Sequence, residues 1–196
     1  MNHTVCRYEV PALEALPQDV RERILQVQEK AGFVPNVFLA LARRPDEFRA
    51  FLAYHDALLQ RESSLSKGEK EMIIVATSSA NRCLYCVVAH GAILRIYEKA
   101  PMLADQLATN YLKADITPRQ RAMLAFALKV CGDSANVDDA DLQTLQRHGL
   151  DAEDAWDITS ITAFFGLSNR LANVISLRPN DEFYVLGRVP RDKPAA

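Results

Sequence analysis

Apolar residues recur at helical spacing along nearly the whole chain. Intervals of three and four separate successive apolar positions, and no long alternation of Val, Ile and Thr competes with this pattern. After Pro45, for example, one stripe of a helix would collect the following side chains: Phe48, Phe51, Leu52, His55, Leu58 and Leu59. We expect His55 to be a core histidine on that stripe. The pattern predicts an all-α fold.

Capping residues and prolines mark where these helices begin. Ser66 with Glu69, and Thr117 with Gln120, have the spacing of capping boxes, and Asp151 precedes a long apolar-periodic segment. We therefore predict helices at about 17–31, 45–59, 66–80, 84–97, 101–111, 117–130, 138–148 and 152–175. The segment after residue 178 is predicted to be an extended tail.

The length of 196 residues fits one domain. No Gly/Ser-rich linker divides the chain, and no repeat with matching signature positions is present. We predict a single compact helical domain over residues 1–196. Its core would span about 33–182, with an N-terminal helix and a C-terminal tail appended.

The charge balance excludes some partners. Lys and Arg number 23 against 25 Asp and Glu, a net charge of −2, so nucleic acid is not expected as the main partner. No apolar run has the length of a membrane span, and no basic-then-apolar signal segment opens the chain. We therefore expect a cytoplasmic protein without membrane contact, whose thiols are kept reduced.

One segment concentrates chemically reactive side chains: Cys83-Leu84-Tyr85-Cys86-Val87-Val88-Ala89-His90. On a helix, Cys83, Cys86 and His90 fall within an arc of about 60°. Cys83 lies at the predicted helix start, where free N–H groups and the helix dipole favour a thiolate. Two such sulfurs can bond to each other, so that one captures the sulfenic acid of the other. We expect this pair to be accessible to small oxidants.

The cysteine pair is also compatible with two roles that involve no redox chemistry. The sulfurs can be small buried hydrophobic groups. They can also bind zinc with His90 and Glu71, although no second Cys pair is present and three ligands within one helix suit a tetrahedron poorly. The remaining cysteines have no matching partner: Cys131 is expected in the core or in packing at a helix end, and Cys6 in a mobile terminus.

Glu71 and the pattern Cys83-X-X-Cys86-X-X-X-His90, with 12 positions from Glu71 to the first cysteine, resemble a known signature. It is that of the alkyl hydroperoxidase D (AhpD) proteins in the carboxymuconolactone decarboxylase-like superfamily. Residues 65–72, 86–92 and 163–172 are similar to family segments as well. The likeness covers about 33–182 and is strongest to the uncharacterised peroxidase-related subgroup.

The resemblance implies a thiol-dependent peroxidase of the AhpD-like helical type. Cys86 would attack a hydroperoxide, Cys83 would resolve the sulfenic acid, and His90 with Glu71 would relay protons. The cycle would need no cofactor and no metal. Its partners would be the hydroperoxide and an external dithiol or disulfide-reducing protein. The resemblance also implies a homo-oligomer, a trimer or a hexamer.

Tyr85 departs from the family pattern. In the best-studied branch a relay histidine stands immediately before the second cysteine. A phenol with a pKa of about 10 is a poor base at neutral pH, although it can donate a hydrogen bond. Three alternatives therefore stay open: a thiol-disulfide oxidoreductase, a redox sensor with little peroxidase activity, and a non-catalytic oligomeric module.

Overall fold

Ten α-helices build the part of the chain that the computed structural model describes, residues 5–188. They are α1 (Gln18–Ala31), α2 (Asn36–Leu41), α3 (Pro45–Leu59), α4 (Lys67–Ala80), α5 (Leu84–Glu98), α6 (Leu103–Asn110), α7 (Pro118–Asp133), α8 (Asp139–Arg147), α9 (Ala152–Val174) and α10 (Asp181–Val185). Three short 3-10 turns cover Leu13–Ala15, Tyr111–Lys113 and Ser134–Asn136. No strand occurs in these residues, so the predicted all-α fold is confirmed.

The predicted caps are present at the helix starts. Before α4, the Ser66 hydroxyl accepts a hydrogen bond from the Glu69 amide at 3.0 Å, and the Glu69 carboxylate accepts one from the Ser66 amide at 2.9 Å. Equivalent boxes open α7 at Thr117 and α9 at Asp151. Gly32 ends α1 with a positive φ of 84°, the conformation that glycine adopts most readily.

Helix α4 lies at the centre of the domain. It packs against α5, α6, α7 and α9, and every residue from Gly68 to Ser78 is buried. A helix that is enclosed on all sides must bury whatever polar side chains it carries. This placement brings the carboxylate of Glu71 into the interior, beside α5.

The chain after α9 differs from the prediction. Residues 181–185 form α10, which packs against α5, so the extended tail predicted there was wrong. Phe183 is buried, and its ring lies 5.0 Å from that of Phe33 in an edge-to-face arrangement. Buried Arg95 of α5 donates to the carbonyl oxygens of Phe183 and Leu186 at 2.7 and 2.8 Å. Tertiary contacts therefore stabilise this short helix, and the tail beyond residue 188 lies outside the described residues.

The N-terminal segment is also held against the domain. The Arg7 amide donates to the Ile175 carbonyl at 2.7 Å, and the Arg178 amide donates to that of Val5 at 3.0 Å. Cys6 is buried in the hydrophobic cluster that contains the Cys83–Cys86 pair. The expected mobile position of Cys6 was therefore wrong.

Within residues 5–188, none of the helices combines the length and the apolar character needed to cross a membrane.

Candidate redox site

The two central cysteines lie at the start of α5. Cys83 is the N-cap residue, and its amide donates to the Ser78 carbonyl at 2.9 Å, which joins the end of α4 to the start of α5. Cys86 follows in the first turn, and both are free thiols. Each residue is only 1% exposed. The expected access for small oxidants is therefore absent in this conformation, because neighbouring apolar residues enclose both sulfurs.

The two sulfurs are electrostatically unequal. The pKa of Cys83 is lowered to about 7, chiefly because its thiolate accepts a hydrogen bond from Cys86. The same hydrogen bond, together with burial, raises the pKa of Cys86. One negative charge is thus easily formed in the pair, and the direction of the two shifts favours Cys83 as its site. This agrees with the lower pKa that the helix start alone favours.

Buried Glu71 and partly buried His90 form a hydrogen-bonded pair near the cysteines. Nδ1 of His90 lies 2.8 Å from a carboxylate oxygen of Glu71, and the two side chains, His90 and Glu71, are 13% and 6% exposed. The edge-to-face contact of Phe165 with the His90 ring, 4.7 Å between centroids, fixes the ring from α9. His90 acts on Cys83 through its charge, which lowers the pKa of that thiol.

Tyr85 is directed elsewhere. Its hydroxyl accepts a hydrogen bond from the Val37 amide of α2 at 3.3 Å, and burial raises its pKa. The ring contacts Phe183 edge-to-face at 6.4 Å. The structure therefore places Tyr85 as a support for α2, apart from the Glu71–His90 pair.

Comparison with known proteins identifies the family. Residues 45–101 match the model of the carboxymuconolactone decarboxylase family, a range that includes Glu71, Cys83, Cys86 and His90. The structure is similar to that of an "alkylhydroperoxidase AhpD core: uncharacterized peroxidase-related protein" from Ralstonia eutropha JMP134. That chain is 70% identical, with a TM-score of 0.96 over 96% of this chain and 100% of the other. This chain belongs to the AhpD-like, peroxidase-related family.

Two further structures extend this comparison. An uncharacterised peroxidase-related protein from Silicibacter sp. TM1040 is 40% identical, with a TM-score of 0.90 over 95% of this chain and 97% of the other. The debrominase Bmp8 is 22% identical, with a TM-score of 0.72 over 95% and 97%, and it shares the fold. No curated protein matches the sequence. The AhpD-like fold is thus established, and the similar structures include both peroxidase-related proteins and a debrominase.

Helix α9 adds two polar residues to this AhpD-like site. The Ser168 hydroxyl lies 3.9 Å from the Cys86 sulfur, and fully buried Asn169 donates to the Ser78 hydroxyl at 2.9 Å. The sequence pattern showed the similarity of residues 163–172 but gave neither side chain a role. The available signal was the polar run Ser168-Asn169-Arg170 within an otherwise apolar stretch of helix.

A small cavity adjoins the Cys86 side of the site. It measures about 20 Å³ and is lined mainly by apolar side chains, with Ser168, Tyr85, Val37, Phe51 and Leu171 among them. Its volume matches a single water molecule. The cavity touches Ser168, which in turn contacts Cys86, so it reaches the immediate surroundings of the sulfurs.

The zinc alternative gains no support from the site. Within residues 5–188, no three His, Cys, Asp or Glu side chains are grouped closely enough to hold a metal ion. Glu71 and His90 are hydrogen-bonded to each other, and the two cysteines interact as a separate pair.

Proposed function

We propose that this AhpD-like protein is a thiol-dependent peroxidase, an antioxidant enzyme that reduces hydroperoxides through Cys83 and Cys86. One observation carries the proposal. Two free, buried thiols lie three positions apart at the start of α5, near the hydrogen-bonded pair of Glu71 and His90, and the pKa of Cys83 is lowered to about 7. A thiolate at neutral pH is the species that attacks peroxides.

The first step would use both sulfurs. Before the reaction Cys83 would be the thiolate, and the Cys86 thiol would donate a hydrogen bond to it. Cys86 attacks the terminal oxygen of the hydroperoxide, while its proton passes to Cys83. The O–O bond breaks, Cys86 becomes a sulfenic acid, and the leaving alkoxide takes a proton from the His90 imidazolium to become an alcohol. The resemblance to AhpD proteins and the neighbouring cavity support Cys86 as the attacking sulfur.

The second and third steps would restore the thiols. The Cys83 thiol condenses with the Cys86 sulfenic acid to form a disulfide and release water. An external dithiol, free or carried by a disulfide-reducing protein, then gives two electrons and two protons to this disulfide and is itself oxidised. Cys83 finally returns its proton to His90. The net reaction converts a hydroperoxide and a dithiol into an alcohol, water and a disulfide, without a cofactor or metal.

The Glu71 carboxylate would orient His90 for proton transfer. A carboxylate oxygen 2.8 Å from Nδ1 fixes the tautomer and the direction of the ring. When protonated, this ring stabilises the nearby Cys83 thiolate. The pair would therefore act as one proton store for the cycle.

Peroxide entry would require α2 to move. This helix lies over the cysteine cluster through Val37 and Ala40. Its first turn is held by Asn180, whose side chain accepts from the Asn36 amide at 2.8 Å, and by the Tyr85 hydroxyl. The Asn36 side chain also donates to the Arg178 carbonyl at 2.9 Å, and Phe38 packs edge-to-face on Phe48 of α3. Loss of these local contacts would let the six-residue helix separate without unfolding the domain.

Peroxide consumption with a dithiol reductant tests the proposal. We expect the wild-type protein to consume an organic hydroperoxide with dithiothreitol, and both Cys86→Ser and Cys83→Ser to lose turnover. Cys131→Ser, which removes a half-buried thiol at the end of α7, should keep full activity. Equal rates in the wild type and Cys86→Ser would overturn the proposal.

A thiol-disulfide oxidoreductase is the second candidate. The lowered pKa of Cys83 at a helix start and the position of Tyr85 away from His90 both favour it. Comparing second-order rate constants for a hydroperoxide and for a small disulfide separates the two functions. A faster reaction with the disulfide would assign the site to disulfide exchange.

We also propose that the protein is a homo-oligomer, a trimer or a hexamer. Helix α9 carries an exposed apolar stripe at helical spacing: Trp156, Ala163, Leu167 and Val174. Trp156 is 69% and Val174 62% exposed, values that favour burial against another copy. Light scattering should give the mass of an oligomer for the wild type and a lower mass for Leu167→Lys. A monomeric wild type would contradict this proposal.

A further inference from the structure

Asn169 is a fully buried amide whose orientation is fixed. Its carbonyl oxygen accepts a hydrogen bond from Nδ2 of Asn81, and its own Nδ2 donates to the Ser78 hydroxyl, both at 2.9 Å. The Asn169 residue is 0% exposed. An amide NH₂ group carries two hydrogens, so one N–H remains after the bond to Ser78.

Ser78 brings this amide beside the cysteines. The Ser78 carbonyl accepts the Cys83 amide at 2.9 Å, while its hydroxyl accepts from Asn169. Ser168, the residue before Asn169, lies 3.9 Å from the Cys86 sulfur. Two consecutive residues of α9 therefore reach the site, Ser168 beside the Cys86 sulfur and Asn169 on the Ser78 hydroxyl. In agreement with this geometry, hydrogen bonding from Asn169 lowers the pKa of both thiols.

We propose that Asn169 is a positioning residue whose remaining amide N–H is a hydrogen-bond donor shared by Cys83 and Cys86. The donor stabilises the negative charge on whichever sulfur carries it. This inference deepens the proposed function, in which the charge at rest on Cys83 passes to Cys86 during attack. A single fixed donor between the sulfurs would stabilise both states without a rearrangement, since hydrogen bonds to ionised groups are about twice as strong as neutral ones.

The surroundings leave few other groups to perform this task. Helix α9 contributes uncharged side chains here, and α2 carries no charged residue. The titratable groups of the elements around the pair are Tyr85, His90, Glu71, Cys6 and, on the far side of Asn81, Cys131 of α7. Of these, His90 stabilises a thiolate by charge and is itself bound to Glu71. Asn169 is thus a neutral donor whose effect should not change with pH.

The pH dependence of alkylation in two backgrounds, each of which keeps one cysteine of the Cys83–Cys86 pair, tests this role. Iodoacetamide alkylation is followed by peptide mass spectrometry at Cys86 in Cys83→Ser and at Cys83 in Cys86→Ser, so that Cys6 and Cys131 do not contribute. Each background is measured with and without Asn169→Leu, a substitution of similar size. We expect the pKa of the thiol to rise in both backgrounds. A rise of one unit lowers the alkylation rate near neutral pH by up to about tenfold.

Asn173→Leu is the matched control. Asn173 is exposed, lies one turn further along α9 and donates to the Asn81 carbonyl at 3.1 Å, so this variant loses a similar hydrogen bond. We expect it to leave both thiol pKa values unchanged. An unchanged thiol pKa after Asn169→Leu in either of the two backgrounds would overturn the shared role.

A second variant covers the case in which Asn169→Leu does not fold. Asn81→Ala removes the donor that fixes the Asn169 amide. We expect a smaller rise of the thiol pKa in both backgrounds, and no rise in either would overturn the proposal. The assay contains no peroxide. Raised pKa values in a protein that does not consume peroxide would therefore refute the proposed function and leave the role of Asn169 intact.

Discussion

The Glu71 carboxylate lies 2.8 Å from Nδ1 of His90 and thereby joins α4 to α5 at the redox site. Glu71 is followed along α4 by the apolar run Met72-Ile73-Ile74-Val75-Ala76, all of it buried. A buried carboxylate is costly unless it is paired. Its partner on the neighbouring helix explains why a charged residue occurs in this part of the sequence.

Neutralising the Glu71 carboxylate should make the thiolate of the cysteine pair less stable. In Glu71→Gln the side chain keeps its size and one oxygen that can accept from His90, but it loses its negative charge. We expect the rate of peroxide reduction near neutral pH to fall about 10- to 100-fold. Glu69→Gln is the control, because Glu69 lies on the same helix and instead caps it and binds Arg119. Equal loss of activity in the two variants would show that the charge of Glu71 has no special role.

Tyr85→Phe should change stability and leave proton transfer intact. The substitution removes the hydroxyl that accepts the Val37 amide, at a cost of about 1 kcal/mol in the free energy of unfolding. Because α2 then covers the sulfurs less firmly, the alkylation rate of the cysteines should not decrease. A shift in the pH midpoint of alkylation would instead place Tyr85 in the proton relay.

The lowered pKa of Cys83 makes stability depend on pH. In the folded protein this pKa is about 7, whereas an unfolded thiol titrates near pH 8.5. Between these values the unfolded chain binds more protons, so the free energy of unfolding rises with pH. The gain is therefore lost as the pH falls through about 7. At still higher pH, the raised pKa of Cys86 reverses the trend.

Urea denaturation under reducing conditions measures this effect. From about pH 6 to about pH 8.5, the wild type should gain about 1 kcal/mol relative to Cys83→Ser. Cys131→Ser should retain the gain, since that thiol lies outside the pair. Identical pH dependences of the wild type and Cys83→Ser would contradict the lowered pKa.

Gly187 should tolerate no side chain. Its φ is +71°, and an added Cβ would lie 2.8 Å from Cβ of Arg95, the residue that holds the end of α10. We expect Gly187→Ala to lower the free energy of unfolding by about 1–3 kcal/mol. Gly132→Ala, in open space within α7, should instead raise it by up to about 1 kcal/mol. Urea denaturation measures both changes, and equal effects of the two substitutions would contradict this prediction.

Local signals were enough to predict most of the fold. The capping boxes at Ser66, Thr117 and Asp151, and Gly32 after α1, act within a few residues of themselves, so the sequence predicts these helix ends well. Helix α10 was missed because its stability comes from contacts distant in sequence. Phe183 packs against Phe33, and Arg95 binds its carbonyl oxygen.

In the candidate site, too, local features were predictable from the sequence and contacts between distant segments were not. The alignment of Cys83, Cys86 and His90 follows from helical geometry within one segment, and the pattern predicts it directly. The polar partners from α9 and the burial of both sulfurs depend on how distant helices meet, as the contact of Ser168 with Cys86 shows. Periodicity and spacing carry no information about such contacts.

Oxidation with one equivalent of hydroperoxide, followed by mass spectrometry, tests the central claim most directly. We expect the wild type to lose two hydrogens and to yield one peptide that contains an internal Cys83–Cys86 disulfide. In Cys83→Ser, Cys86 should instead remain a sulfenic acid that dimedone can trap. Unchanged masses at both cysteines after this treatment would contradict the account.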